Sequence, residues 1–211
     1  MQHGSNNKSA QFTDVELMTA YLWGAQQGLL TRKGIYNFIR TYHLGDFPKL
    51  PSYQAFCRRL NRLAEAFAAL AEVLFEQKLA DAEPTHGYVL DSCPVMVSVG
   101  SRSNTAKTAR KLCNLTRNPT RNLWYHGVKL QSERSITLIT LRKRKKYDTL
   151  VSEDAASTHI SALRQPIEAF FNWLQAKTHI QSASHVRSCA GLLFHIFSSL
   201  ALAALLLRFY Y

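Results

Sequence analysis

The C-terminal stretch GLLFHIFSSLALAALLL, residues 191–207, constrains the fold more than any other part of the sequence. It is apolar except for His195, Ser198 and Ser199, so it must be shielded from water by protein or by lipid. A membrane-spanning helix needs about 20 apolar residues, with roughly 17 as the lower limit. This stretch lies at that limit and contains polar interruptions. We therefore predict a buried core helix, with a membrane anchor at the tail as the alternative.

Positive charge is concentrated in one part of the 211-residue chain, whose formal net charge is +12. Residues 101–146 contain 13 of the 26 lysines and arginines but only one of the 14 acidic residues, Glu133. The rest of the chain therefore has 13 of each and is electrically balanced. A uniform effect on solubility would not segregate charge in this way. The pattern favours a polyanionic partner, either nucleic acid or an anionic membrane surface.

Cysteine usage and the N-terminal segment indicate a cytoplasmic protein. The four cysteines are widely spaced, without a CxxC pair or histidines at zinc-ligand spacing, so we expect reduced thiols. Residues 1–11 are polar and lack the apolar core of a signal peptide, and we predict a disordered tail there.

A helical lobe is predicted over residues 12–84. The pattern TDVE at residues 13–16 is a capping box and should open a helix near residue 14. A short helix follows Thr31, and Ser52 opens a long helix that runs to about residue 79. The long helix has one apolar seam with alternating spacings of three and four: Tyr53, Phe56, Leu60, Leu63, Phe67, Leu70 and Leu74.

Three arginines lie off this seam: Arg58, Arg59 and Arg62. They are candidates for contact with DNA phosphates, against the ordinary alternative of a solvated helix face. The order of helices is compatible with a helix-turn-helix, although no turn motif marks one.

A second domain is predicted over residues 85–211, after the break at DAEPTHG. Residues 88–99 indicate a strand, a kink at Pro94 and a second strand. Residues 123–131 and 135–142 indicate two further strands joined by the turn SERS. The basic segment 101–121 is too polar for the core and is interpreted as an exposed loop that could lie on nucleic acid. The fold class is therefore α+β.

Two carboxylates are candidate metal ligands. Asp91 ends an otherwise apolar strand, where a carboxylate is costly unless it is paired, hydrogen-bonded or metal-bound. Glu168 follows Pro166 on a helix whose predicted buried stripe is Ile167, Phe170, Phe171 and Leu174. If the two converge they suit Mg²⁺, and a third carboxylate would allow a two-ion site.

Each of these carboxylates also has an ordinary interpretation. Asp91 can hydrogen-bond the turn at residues 92–94. Glu168 complements the dipole at the start of its helix and can pair with Arg164.

Several blocks resemble insertion-sequence DDE transposases of the IS4-related superfamily, in the group numbered nine-eighty-two. The blocks are LDSCPV at residues 90–95, YHGVKL at 125–130, RQPIEAFFNWL at 164–174 and TxIQxASxVRSxxGLLxHIF at 178–197. FTDVELMTAYLW and FPKLPSYQAFCRRLNRL are similar to the helical DNA-binding region of that family.

The resemblance implies a ribonuclease H-like core in which two aspartates and a glutamate bind two Mg²⁺ ions. Those ions serve DNA cleavage and strand transfer at transposon ends. Asp91 matches the first aspartate and Glu168 the glutamate, while Tyr125, Gly127 and Lys129 match a hairpin motif whose lysine contacts DNA. It further implies terminal-repeat DNA as the partner, leaves a homo-oligomer possible, and implies neither a small-molecule cofactor nor a membrane partner.

The chain departs from the family between the hairpin and the glutamate. There the family has its second aspartate, in a GDKAY-like strand between helices. Only 21 residues separate Arg142 from Arg164. A parallel crossover takes at least about 10–12 residues and a strand adds about five, so the usual elements do not fit. We infer an internal deletion around residues 142–150 that leaves an incomplete core without the second aspartate.

Three nearby acids are possible replacements: Asp148, Glu153 and Asp154. Their context favours solvated residues around a helix start. The sequence therefore predicts a DNA transposase by descent with a defective metal site. The alternatives are a working enzyme with a replacement acid, a non-enzymatic DNA-binding remnant, or a tail-anchored basic membrane protein. The residues predicted to contact DNA are Lys129, Arg110, Lys111, Arg117, Arg121, Arg142, Lys143, Arg144, Lys145, Lys146, Arg58, Arg59 and Arg62.

Overall fold

The structure, a computed structural model, describes residues 11–80, 93–118, 121–130 and 168–210. These residues form an α+β fold, as expected. Its helices are α1 (Asp14–Gln26), α2 (Arg32–Tyr42), α3 (Tyr53–Arg62), α4 (Ala64–Ala80), α5 (residues 168–178) and α6 (Cys189–Tyr210). Its strands are β1 (Cys93–Val99), β2 (Asn114–Asn118) and β3 (Leu123–Leu130), with a 3₁₀ turn at Gly100–Ser103.

Side-chain caps start the first three helices where the sequence predicts. The Thr13 hydroxyl accepts from the Glu16 N–H at 3.1 Å, and the Glu16 carboxylate accepts from the Thr13 N–H at 2.6 Å. These hydrogen bonds to the charged form, from the Thr13 backbone and then its side chain, lower the pKa of Glu16. The Thr31 hydroxyl caps α2 by accepting from the Gly34 N–H, and the Ser52 hydroxyl caps α3 by accepting from the Ala55 N–H. All three predicted helix starts are confirmed.

The long helix predicted from residue 53 to about residue 79 is interrupted at Leu63. There the N–H bonds to the Leu60 carbonyl at 3.1 Å, three residues back instead of four. The predicted seam is nevertheless buried at Phe56, Leu60, Leu63 and Phe67. Its partners change at the break, because α4 packs along α6 whereas α3 packs against α1, α2 and α6. Without a glycine or proline at this point, the sequence carries no local signal of the break.

A first hydrophobic cluster joins α1–α4 to α6. Its centre is a set of edge-on aromatic rings. The Phe194 ring of α6 lies 5.0 Å from that of Tyr21 and 5.4 Å from that of Phe67. Because Phe194 comes from the far end of the chain, the helical lobe is completed by α6. The predicted boundary near residue 84 lies outside the described residues.

The three strands form an antiparallel sheet in the order β1-β3-β2. The basic segment 101–121 is not simply a polar loop, since it contains β2 and buries Ala109 and Cys113. The expectation was wrong because β2, NLTRN, has no apolar alternation. It is a strand through its pairing with β3.

Pro94 lies inside β1, opposite Lys129, and the register shift falls between Met96 and Ser98 instead. Met96 turns its backbone away from β3, donating to the Gln181 carbonyl at 2.8 Å and accepting from the Ala183 N–H at 2.9 Å. Residues two apart on a strand present their N–H and C=O groups to the same side. The missing N–H of proline therefore faces away from β3 and removes no bond to it. Residues 88–92 of the predicted strand region 88–99 lie outside the described residues, as does the predicted strand at 135–142.

A second hydrophobic cluster lies between the sheet, α5 and α6. Leu192 and Ile196 of α6 pack there with Val95 and Val97 of β1. Because α6 contributes to both clusters, it is enclosed along most of its length. Among the described residues it is also the one helix long and apolar enough to cross a bilayer, and 61% of its apolar window is buried.

Candidate nucleic-acid interface

The acidic candidates are only partly described. Glu168 is the first described residue of α5 and its side chain is exposed. Asp91 lies outside the described residues, as do Asp148, Glu153 and Asp154. In the described part of the chain, His, Cys, Asp and Glu side chains form no group of three or more that could hold a metal ion. The Mg²⁺ site therefore stays a prediction.

The predicted buried stripe beside Glu168 is only partly correct. Leu174 is buried and Phe171 half-buried, but Phe170 is 39% exposed and stacks on Trp173 with 5.8 Å between ring centroids. Ile167 lies outside the described residues. The second cluster contains Leu174 and Phe171 without reaching Phe170, so the first turn of α5 is not covered there.

The basic candidates are more informative, because residues 93–130 contain seven lysines and arginines and no acid. All seven side chains are exposed: Arg102, Lys107, Arg110, Lys111, Arg117, Arg121 and Lys129. We call these seven residues the sheet cations. They give the sheet and its connecting segment a surface of a single charge sign.

The sheet cations do not all lie on one face of the sheet. Arg117 is opposite Trp124 in the register and Lys129 is opposite Pro94, so strand alternation places them on opposite faces. Arg117 donates to the Asn122 side-chain oxygen at 2.6 Å, and the Arg121 N–H donates to the Asn118 side-chain oxygen at 3.1 Å. The Arg121 guanidinium donates to the Gln181 side-chain oxygen at 3.4 Å, so Arg117 and Arg121 are held by different partners.

An exposed tryptophan lies beside Arg117 and was missed in the sequence. Trp124 is 52% exposed, beside Arg117 on the neighbouring strand and near the exposed Leu115. Aromatic side chains among cations are typical of surfaces that bind nucleic acid by stacking. The signal available in the sequence was a tryptophan at the start of a predicted strand within the positively charged residues 101–146.

The residues that match the hairpin motif divide into two roles. Tyr125 is fully buried, and its hydroxyl has no hydrogen-bond partner among the described residues; burial, then the neighbouring Cys93, raises its pKa. Gly127 lies so close to β1 that an added Cβ would be 2.0 Å from the Val95 carbonyl oxygen. Both are packing residues. Lys129 is exposed, so it is the member able to reach a ligand.

The arginines of α3 also divide. Arg59 donates to the Phe12 carbonyl at 2.8 Å and forms an ion pair with the buried carboxylate of Asp14. It thereby ties the start of α1 to α3, a structural role that helix spacing alone does not show. Arg58 and Arg62 are exposed. The five candidates from Arg142 to Lys146 lie outside the described residues.

Comparison with known proteins does not identify the chain. No protein-family model, curated protein or solved structure matches it. Its function has to be inferred from its own residues.

Proposed function

We propose that this protein binds DNA and descends from a DDE transposase whose metal-dependent cleavage and strand transfer became defective when the second aspartate was lost. The observation that supports DNA binding most is the set of seven exposed sheet cations within 38 consecutive residues that contain no acid. Affinity for DNA comes mainly from neutralised phosphates, so it survives the loss of a metal ligand.

The transposase part of the proposal draws on the sequence resemblance together with one feature of the fold. β1, which follows Asp91, pairs antiparallel with β3, which carries YHGVKL. We propose that this pair is part of an incomplete ribonuclease H-like core, with Asp91 and Glu168 as the remaining Mg²⁺ ligands. The partner would be DNA with the transposon's terminal repeats, bound in the cytoplasm.

The first test is the salt dependence of binding to a duplex that carries the terminal repeats, followed by fluorescence anisotropy. We expect log K to fall linearly with log salt, with a slope of about −3 or steeper if three or more phosphates are contacted. Exchanging Arg117→Gln and Lys129→Gln together should make the slope shallower by about 1–2 units.

The matched control is Arg40→Gln, which removes an exposed cation from α2 and should leave the slope unchanged. A flat salt response in the unaltered protein would remove the nucleic-acid interpretation altogether.

The second test is cleavage of the same duplex with Mg²⁺ or Mn²⁺. We expect no nicking above that of Glu168→Gln, because one of the three metal carboxylates is missing. Glu168 is exposed, so this exchange should leave stability and DNA affinity unchanged. Metal-dependent nicking that disappears with Glu168→Gln would instead indicate a working enzyme. Asp148→Asn, Glu153→Gln and Asp154→Asn would then identify the replacement ligand.

A further inference from the structure

A groove of about 360 Å³ lies between the start of α2, one side of α3 and the start of α6. It contains none of the sheet cations, and nothing in the proposed function uses it. Its polar lining includes Arg32, Lys33, His185 and Arg187. We propose that this groove binds a phosphate group, supplied either by a nucleic-acid backbone or by a free phosphate compound.

The charge of the lining points to an anion. Arg32, Lys33 and Arg187 are cationic, and no Asp or Glu is among the described residues that line the groove. Within the described part of the chain these cations also form no ion pair with a carboxylate. A concave surface with three cations and no counter-charge has a positive potential, which an anion would neutralise.

The three cations are held in place by groups that leave their charge uncompensated. The Arg32 guanidinium lies 4.4 Å from the centre of the Phe194 ring, and the Lys33 ammonium lies 4.8 Å from that of Tyr53. Arg187 donates to the carbonyls of Ser184 and Val186 at 2.7 and 2.9 Å. Ring faces and carbonyls orient a cation without removing its net charge. The site is therefore organised before any ligand arrives, which lowers the cost of binding.

Two helix starts add to the positive potential. α2 begins at Arg32 and α6 begins at Cys189, and their capping residues Thr31 and Ser188 both line the groove. The Ser188 hydroxyl accepts from the Gly191 N–H at 3.1 Å. The N-terminus of a helix has a partial positive charge and unpaired N–H groups, which favour phosphate.

The pKa of His185 depends on this positive potential. Partial burial, then the charges of Arg32 and Arg187, lower the pKa of its imidazole. A bound phosphate would offset those two charges and raise the pKa again. The groove volume is within the usual range for small-ligand sites, so there is room for a phosphate with part of an attached sugar.

The test is to titrate the full chain with inorganic phosphate, using calorimetry and the His185 ring proton in NMR spectra. We expect saturable binding and a rise in the pKa of His185. Lys33→Gln combined with Arg187→Gln should weaken binding at least about tenfold, the value of a charge-assisted hydrogen bond. Lys33→Arg combined with Arg187→Lys should stay within about threefold, because the charge is retained. Arg40→Gln, on the same helix as Lys33, is the neutral control.

Two further ligands distinguish the source of the phosphate. If the Lys33→Gln, Arg187→Gln pair also weakens binding of duplex DNA, the groove takes a backbone phosphate. If DNA binding is unaffected and a nucleoside monophosphate competes with inorganic phosphate, it takes a free compound.

The inference would be overturned if phosphate binding were not saturable, or if it were equal in the unaltered and Gln-substituted proteins. Arg117→Gln with Lys129→Gln should leave phosphate binding intact. A failure of the DNA-binding proposal is therefore distinguishable from a failure at the groove.

Discussion

At Gly127 the backbone of β3 passes so close to β1 that no side chain fits. The Cβ of any other residue would lie 2.0 Å from the Val95 carbonyl oxygen, a backbone atom that cannot rotate away. The sequence marked this glycine only by its place in the YHGVKL block. The physical reason for it, contact between two strands that are about 30 residues apart, became visible only with the sheet.

Gly127→Ala should therefore destabilise the protein by about 3 kcal/mol, because β1 and β3 must separate to relieve the clash. The measurement is urea unfolding of the full chain. Gly45→Ala is the matched control, since an added Cβ there meets nothing within 4 Å. Its free energy of unfolding should stay within about 0.5 kcal/mol of that of the unaltered protein. Equal midpoints for the two variants would show that the strands are not in close contact at this point.

Arg59 is a charged residue whose role, like that of Gly127, could not be predicted from the sequence. In the sequence it is equivalent to Arg58 and Arg62, since all three lie off the apolar seam of the helix. The difference between them is Asp14, 45 residues earlier in the chain, which forms the ion pair with Arg59. Helical spacing identifies which residues lie outside the core, but it does not identify their partners on other helices or strands.

At the level of elements, the sequence of α6 was compatible with two environments, the protein core and a membrane. Its apolar composition predicts a helix in either protein or lipid. In the structure Phe194 faces the first cluster and Ile196 the second, while Leu200 and Phe197 pack against both. A helix enclosed by protein on two sides has little apolar surface left for lipid.

We therefore predict that the protein is recovered in the aqueous fraction after carbonate extraction of cells, without detergent. Leu202→Ala should cost about 2–5 kcal/mol in urea unfolding, because Leu202 is buried in the first cluster. Leu207→Ala, near the half-buried end of the same helix, should cost clearly less. Retention in the membrane fraction, with both variants as stable as the unaltered chain, would instead support the tail anchor.

For the whole molecule, the buried imidazole of His195 makes the free energy of unfolding depend on pH. It is buried on α6, and its Nε2 lies 3.0 Å from the Ile180 carbonyl oxygen. Among the described residues, the charged and titratable groups that affect it are Arg32, His179 and His185, and none of these is acidic. Burial is the main reason that the pKa of His195 falls from 6.5 to about 4, and the neighbouring positive charges add to it.

Stability should therefore decrease as the pH falls. Above pH 6.5 the imidazole is neutral in both states. Between about pH 6.5 and 4 the unfolded chain binds a proton that the folded protein does not. The loss from this histidine is about 1.4 kcal/mol per pH unit within that window. The lowered pKa of His185 acts in the same direction.

Urea unfolding at several pH values between 7 and 4.5 measures this loss. His195→Gln keeps a donor for the Ile180 carbonyl but does not titrate, so its stability should depend less on pH. If the two proteins lose stability in parallel, His195 is not the group responsible.

The sequence by itself determined what depends on neighbours along the chain. The caps at Thr13, Thr31 and Ser52 act within three residues, so the helix starts were predictable. The segregation of charge and the apolar C-terminal helix were likewise predictable from the distribution of residue types along the chain. Only the tertiary structure decided the break at Leu63, the strand β2 and the ion pair of Arg59. Each of these depends on a partner far away in the sequence, and local periodicity contains no information about which distant surfaces will meet.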